Sequence, residues 1–317
     1  MKRPQNIIAE SGMTLPVVAV FAVVVWLLLG LVQQQLWPQL ACFVVTVYLL
    51  VEMTNQNALL RVRSRMVSST FLMLSCAAGF LLPQMTSGIV QLCFVVVFLL
   101  LFQTYQSSYS VGRVFYAFAA IGVASMFYVQ VLWYVPVLWG LMATQLQSLS
   151  WRSWLASLIG LAAPYWMMLL WFLLPFNLSA EWTADLSAVA DHFAQLTCFN
   201  TQFSFLSLQH LPCLLVFALT VILAAVGMAH FWQYSFEDKI RIRLLYGFFT
   251  AMTIATVLFM VVQQQHFDVL MRLLILCASP LIAHVLTFTS SRLSNILFFV
   301  VVALVVAITV YHLIEYV

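Results

Sequence analysis

Charge is what this sequence has least of. Asp, Glu, Lys and Arg make up 7% of its 317 residues, where a soluble domain carries about a quarter. With 65% hydrophobic residues and a mean hydropathy of +1.07, no soluble fold could hide the apolar surface, so the solvent must be lipid. The net charge of +3 is small and scattered, which excludes a basic nucleic-acid-binding face. The signatures G-x-x-x-x-G-K-[ST], G-x-G-x-x-G, H-E-x-x-H and G-x-S-x-G are missing. ATP-driven work by this chain alone is therefore not expected. C-x-x-C spacing is missing too, and with it the usual zinc and iron–sulfur sites. No metal and no cofactor is expected.

Six cysteines are present. Cys42, Cys76, Cys93 and Cys277 sit in apolar runs, where a small thiol packs. Cys198 and Cys213 remain open to two readings, a disulfide or two free thiols. No internal repeat is visible, which speaks against an inverted-repeat transporter. No Asp or Glu falls at the centre of a span to couple a substrate to an ion gradient. Glu52 is expected to pair with Arg61, Arg63 or Arg65 at the end of its span. His230 and His284, each alone in or near a span, are expected to bond neighbouring helices rather than relay protons.

What is abundant is apolar runs of spanning length, about 20 residues each. They predict helices near 13–32, 36–53, 66–83, 88–105, 113–129, 131–148, 154–174, 211–233, 243–263, 269–289 and 293–313. The expected fold is all-α and polytopic: a single integral membrane domain, 1–317, with about eleven spans (ten to twelve). Between 113 and 148 the pattern predicts a helical hairpin turning near Gln130, with Pro136 at the start of its second arm. The first run is long enough to stay as an anchor rather than be cleaved. Alternating the faces places Arg61, Arg63, Arg65, Arg113, Arg152, Lys239, Arg241, Arg243 and Arg292 with Lys2 and Arg3. Of the 12 basic residues, only Arg272 then falls on the other face. The positive-inside rule reads this as a cytoplasmic N-terminus and a periplasmic C-terminus in a bacterial inner membrane. One outer segment has length, 176–210. There Leu186, Val189, Phe193 and Leu196 recur at helical spacing and predict an amphipathic surface helix.

The outer face supplies the candidate site. His266, Asp268 and Arg272 share one end of a span, with Asp268 and Arg272 at i and i+4. They read either as a local ion pair or, with His210, as a grip on a lipid phosphate. Glu181, Asp185 and Asp191 are the candidate catalytic carboxylates on the same side.

Several stretches carry a family likeness. Gly112-Arg113, then IGVASMFYVQVLWYVPVLWGL, then Trp151-Arg152-Ser153-Trp154 and LIGLAAPYW follow in order, after NALLRVRSRMVSSTFLML and LLPQ. This run resembles the middle of membrane glycosyltransferases of the C-type fold, over roughly residues 1–210. The loop around Lys239-Ile240-Arg241-Ile242-Arg243 is similar to one in a group of Bacteroidetes multi-span inner-membrane proteins. The resemblance implies an outward cavity and a polyprenyl-phosphate-linked glycan as partner. It also implies a catalytic acid in the first outer loop. Here that loop is Gln33-Gln34-Gln35-Leu36-Trp37-Pro38-Gln39, with no acid. The expectation is therefore a cell-envelope protein that handles or accompanies lipid-linked glycan without competent catalysis. The alternatives are a degenerate but active transferase, a transporter or flippase, and a structural subunit with membrane-protein partners.

Overall fold

The computed structural model describes residues 3–62, 64–107, 109–173, 191–197, 211–289 and 292–316. Among them there is no strand. In hydrocarbon every backbone N–H and C=O must be paired internally, and a helix does this within one segment. The helices are α1 (Pro4–Glu10), α2 (Thr14–Leu28), α3 (Trp37–Asn57), α4 (Met66–Ala77), α5 (Met85–Phe102) and α6 (Val111–Phe127). They continue with α7 (Tyr134–Thr144), α8 (Trp151–Leu173), α9 (Leu211–Tyr234), α10 (Ile240–Val262), α11 (Phe267–Phe288) and α12 (Arg292–Tyr316). Pro4 and Pro38 stand in the first turns of α1 and α3, where a missing N–H costs nothing.

Each of the eleven apolar runs holds a helix, but not each helix is a span. Among the described residues, 6 helices are long and apolar enough to cross a membrane, and up to 7 if α1 and α2 count as one. Those two meet at an 85° bend. The run expected to span from 66 to 83 divides. After Ala77 the chain tightens into a 3-10 turn, Gly79–Leu81, ahead of Pro83. Apart from half-buried Met73, α4 is buried along its whole length, so it is packed by protein and need not match the bilayer.

The chain forms two compact units, one of residues 1–92 and 202–317 and one of residues 93–201. In the first, α11 is the core. Apart from half-buried Asp268, every residue from Phe267 to Thr287 is buried, enclosed by α4, α9 and α10, with α1 against it as well. Gly227 lets α9 approach closely: a Cβ there would sit 2.8 Å from the Leu281 carbonyl. The outer helices α2, α3 and α12 turn Val20, Val44 and Val300 outward, as side chains solvated by lipid would be. Gln5 of α1 donates to the Leu286 carbonyl at 2.7 Å and to Thr289 at 3.0 Å. At the opposite end of α11, Phe80 faces Phe267 and His312. The two ends of α12 thus lie at opposite ends of this unit.

In the second unit α6 and α8 cross closely. The hairpin turns through a 3-10 segment, Val129–Trp133, between α6 and α7, where the sequence places it. Residues 191–197 lie against this corner. The ring of His192 is 2.9 Å from the Ser125 carbonyl, and Gln130 and Trp133 donate to the carbonyls of Gln195 and Leu196.

Candidate functional site

Two features of the first unit stand out, a buried charge cluster and an apolar cavity. The cluster sits at the end of α11 that carries His284. Asp238 closes the 3-10 turn Ser235–Glu237 just before α10, and its side chain is 1% exposed. One carboxylate oxygen takes the Arg61 Nε at 2.7 Å and the other faces His284 Nε2 at 3.2 Å. Arg61 also reaches Glu237 at 2.6 Å and lies 4.6 Å above the Phe288 ring, a cation–π geometry. Beyond His284, its Nδ1 stands 3.3 Å from Nδ1 of half-buried His230. Tyr246, Phe231 and Phe288 wall the His284 ring. Nearby, Arg241 donates to Asn57 at 2.8 Å.

This corrects one expectation for the described arginines; Arg63 lies outside the described residues. Arg61 does not turn to Glu52, which instead accepts from Gln56 at 2.7 Å one helical turn along. It crosses to the 237–238 turn, because buried Asp238 needs a counter-charge more than a rim carboxylate does. The two basic loops, 58–65 and 235–243, do share one end of the unit, as the threading required.

The cavity, of about 500 Å³, lies between α1, α2, α4, α11 and α12. That volume is within the usual range of ligand pockets. Val17, Phe21, Met73, Ile282, Phe298 and Val302 are among its apolar lining. Four hydroxyls reach it. Three have partners: Ser11 accepts from the Met13 amide, Thr14 donates to carbonyls of α1 and its turn, and Ser69 donates to Arg65. The fourth, Thr70, is 7% exposed, and its Oγ1 has no hydrogen bond among the described residues. A buried hydroxyl left unpaired costs about 1–3 kcal/mol. The lining is continuous with the outer surface, since Val17 and Phe299 are 66% and 46% exposed.

The residues singled out from the sequence are distributed as follows. Arg272 is 5% exposed and donates to the carbonyls of Leu81, Leu82 and Gln84 at the α4–α5 break, and to Gln91. Asp268 accepts from Gln84 at 2.6 Å. The i, i+4 spacing therefore leaves both side chains engaged by the 81–91 segment. His266 is half-buried beside them, and burial lowers its pKa, which favours the uncharged ring. Asp191 is exposed at the head of the 191–197 fragment, in the other unit. Glu181, Asp185, His210 and Cys198, with most of the 176–210 segment, lie outside the described residues.

Sequence reading missed the cluster because the contacts that close it join residues 46 to 177 positions apart. One local signal was available: the pair Glu237-Asp238 breaks an otherwise basic loop. Compared with known proteins, the chain matches no family model, no curated protein and no solved structure.

Proposed function

We propose that this multi-span protein handles a membrane lipid, holding one hydrocarbon chain of it in the cavity between α1, α2, α4, α11 and α12. The observation that carries this is the cavity itself: apolar, open to the lipid-facing surface, and containing one buried hydroxyl with no hydrogen-bond partner among the described residues. A hydrocarbon chain would remove the lining from a void that otherwise forfeits its dispersion contacts. An ester or hydroxyl on the same lipid would satisfy Thr70.

In its fuller form the lipid is a polyprenyl-phosphate-linked glycan, met at the outer face of an inner membrane by a C-type-like scaffold. The chain then accompanies the glycan rather than transferring it, consistent with the acid-free segment Gln33–Gln39. Arg272 would hold the phosphate, exchanging one or more carbonyl partners for it. It lies ten and fourteen residues along α11 from Ile282 and Leu286 of the cavity lining, about 15–21 Å, so a long chain is needed to reach both the phosphate and the cavity.

The test is mass spectrometry of lipid retained through purification in mild detergent. The expected result is one tightly held lipid per chain. Thr70→Phe, which puts a ring into the cavity beside α4, should retain about tenfold less, equivalent to roughly 1.4 kcal/mol. A polyprenyl phosphate supports the fuller form, and a phospholipid supports the lipid reading alone. No retained lipid, or equal retention by the variant, would overturn both.

A further inference from the structure

We propose that His230 and His284 form a binding site for one proton, ending on Asp238. The geometry sets the tautomers. Asp238 Oδ2 lies 3.2 Å from His284 Nε2, and an ionised carboxylate only accepts, so that nitrogen carries the hydrogen. In a neutral ring, Nδ1 of His284 is then a lone pair. It faces Nδ1 of His230 at 3.3 Å, so the His230 Nδ1 must be the donor and its Nε2 is left as an acceptor. Both rings thus point their hydrogens toward the carboxylate.

A proton reaching Nε2 of His230 makes that ring an imidazolium. Its Nδ1 proton can pass to Nδ1 of His284, leaving His230 neutral in the other tautomer. His284 then holds the positive charge against Asp238. One proton is taken up, none is released, and no other bond changes.

Charge explains why the capacity is one. The charged groups of the cluster are Asp238, in contact with His284, and behind it Arg61 from the 58–65 loop and Glu237 from the turn before α10. With both rings neutral they sum to −1. One proton brings the sum to zero, and a second would set two imidazolium charges side by side. The other titratable groups facing the pair are Tyr234 of α9, its ring tilted at 4.7 Å from that of His230, and Tyr246 of α10, 5.0 Å from His284. Arg241 is held aside by Asn57. Among the described hydrogen bonds at this end of α11, α1 and α12 contribute Gln5, Asn6 and Asn295, whose side chains are not titratable. The inference stands apart from the lipid cavity, and its failure would leave that reading intact.

The test is nitrogen NMR of the full chain in lipid nanodiscs, with ¹⁵N-labelled histidine, from about pH 4 to pH 9. At high pH, His284 should carry its hydrogen on Nε2 and His230 on Nδ1. On acidification the two rings should change together, with one proton bound between them. Asp238→Asn should lower the midpoint by about one pH unit or more, because it removes the stabilising charge. The opposite tautomers, two independent protons or no titration in the wild-type chain would each overturn the proposal, whatever the variant does. An unshifted midpoint in a folded Asp238→Asn variant would overturn the role of the carboxylate.

Discussion

Gly160→Val should separate α6 from α8 and destabilise the chain by about 2–3 kcal/mol, the upper range for overpacking. A Cβ at 160 would stand 2.3 Å from the Phe115 carbonyl oxygen and 3.2 Å from the Ala119 amide nitrogen. Both obstacles are backbone, so no side chain can rotate away. One turn up α6 the contact repeats: a Cβ on Gly122 would lie 2.6 Å from the Leu161 carbonyl oxygen and 2.9 Å from Pro164. Small residues let two membrane helices touch along their backbones, and dispersion then supplies much of the association energy. Gly160→Ala should already be destabilising. Gly140→Ala is the control. That α7 site has no heavy atom within 4 Å of the added carbon, and alanine gains about 1 kcal/mol of helix propensity. Unfolding in a denaturing detergent series should order the variants Gly140→Ala, wild type, Gly160→Ala, Gly160→Val. Wild-type stability in Gly160→Val would mean that the α6–α8 crossing is looser than described.

Asp238→Leu should cost more, about 3–5 kcal/mol, the usual effect of removing one partner of a buried ion pair. The side chain at 238 is 1% exposed, while Arg61 is 29% exposed. Leucine would strand the guanidinium beside His284 with only Glu237 to balance it. Glu237→Gln should change stability by less than about 1 kcal/mol, because that carboxylate is half in solvent. Removing Arg61 as well should restore part of the loss, since two absent charges cost less than one unpaired charge. The same unfolding series reads all three variants. Equal effects at 237 and 238 would contradict the burial of the Asp238 pair.

The class of the fold was legible because lipid imposes it. A chain this poor in charge can only be solvated by hydrocarbon, and each apolar run then becomes a helix. Length was legible only for helices that cross alone. The break after Ala77 was hidden inside one apolar run, since Gly79 and Pro83 make a turn only where α11 presents Arg272 to the freed carbonyls. The i, i+4 pair Asp268 and Arg272 was visible, but its partners came from α5 and the turn before it, Gln91 and Gln84. His230 and His284 looked solitary for the same reason. Their meeting depends on Gly227 and Leu281 bringing α9 against α11, a distance that no spacing in the chain encodes.

Photo-crosslinking from a lipid with a diazirine on its hydrocarbon chain tests the lipid-handling claim most directly. Apart from Met73, which itself lines the cavity, α4 is buried by protein, so surrounding lipid has no other route to it. Label on Ser69, Thr70 or Met73, lost in Thr70→Phe, is the expected result. Label confined to outward side chains such as Val20, Val44 and Ile254, with none on Met66–Ala77, would show that no lipid chain enters the cavity.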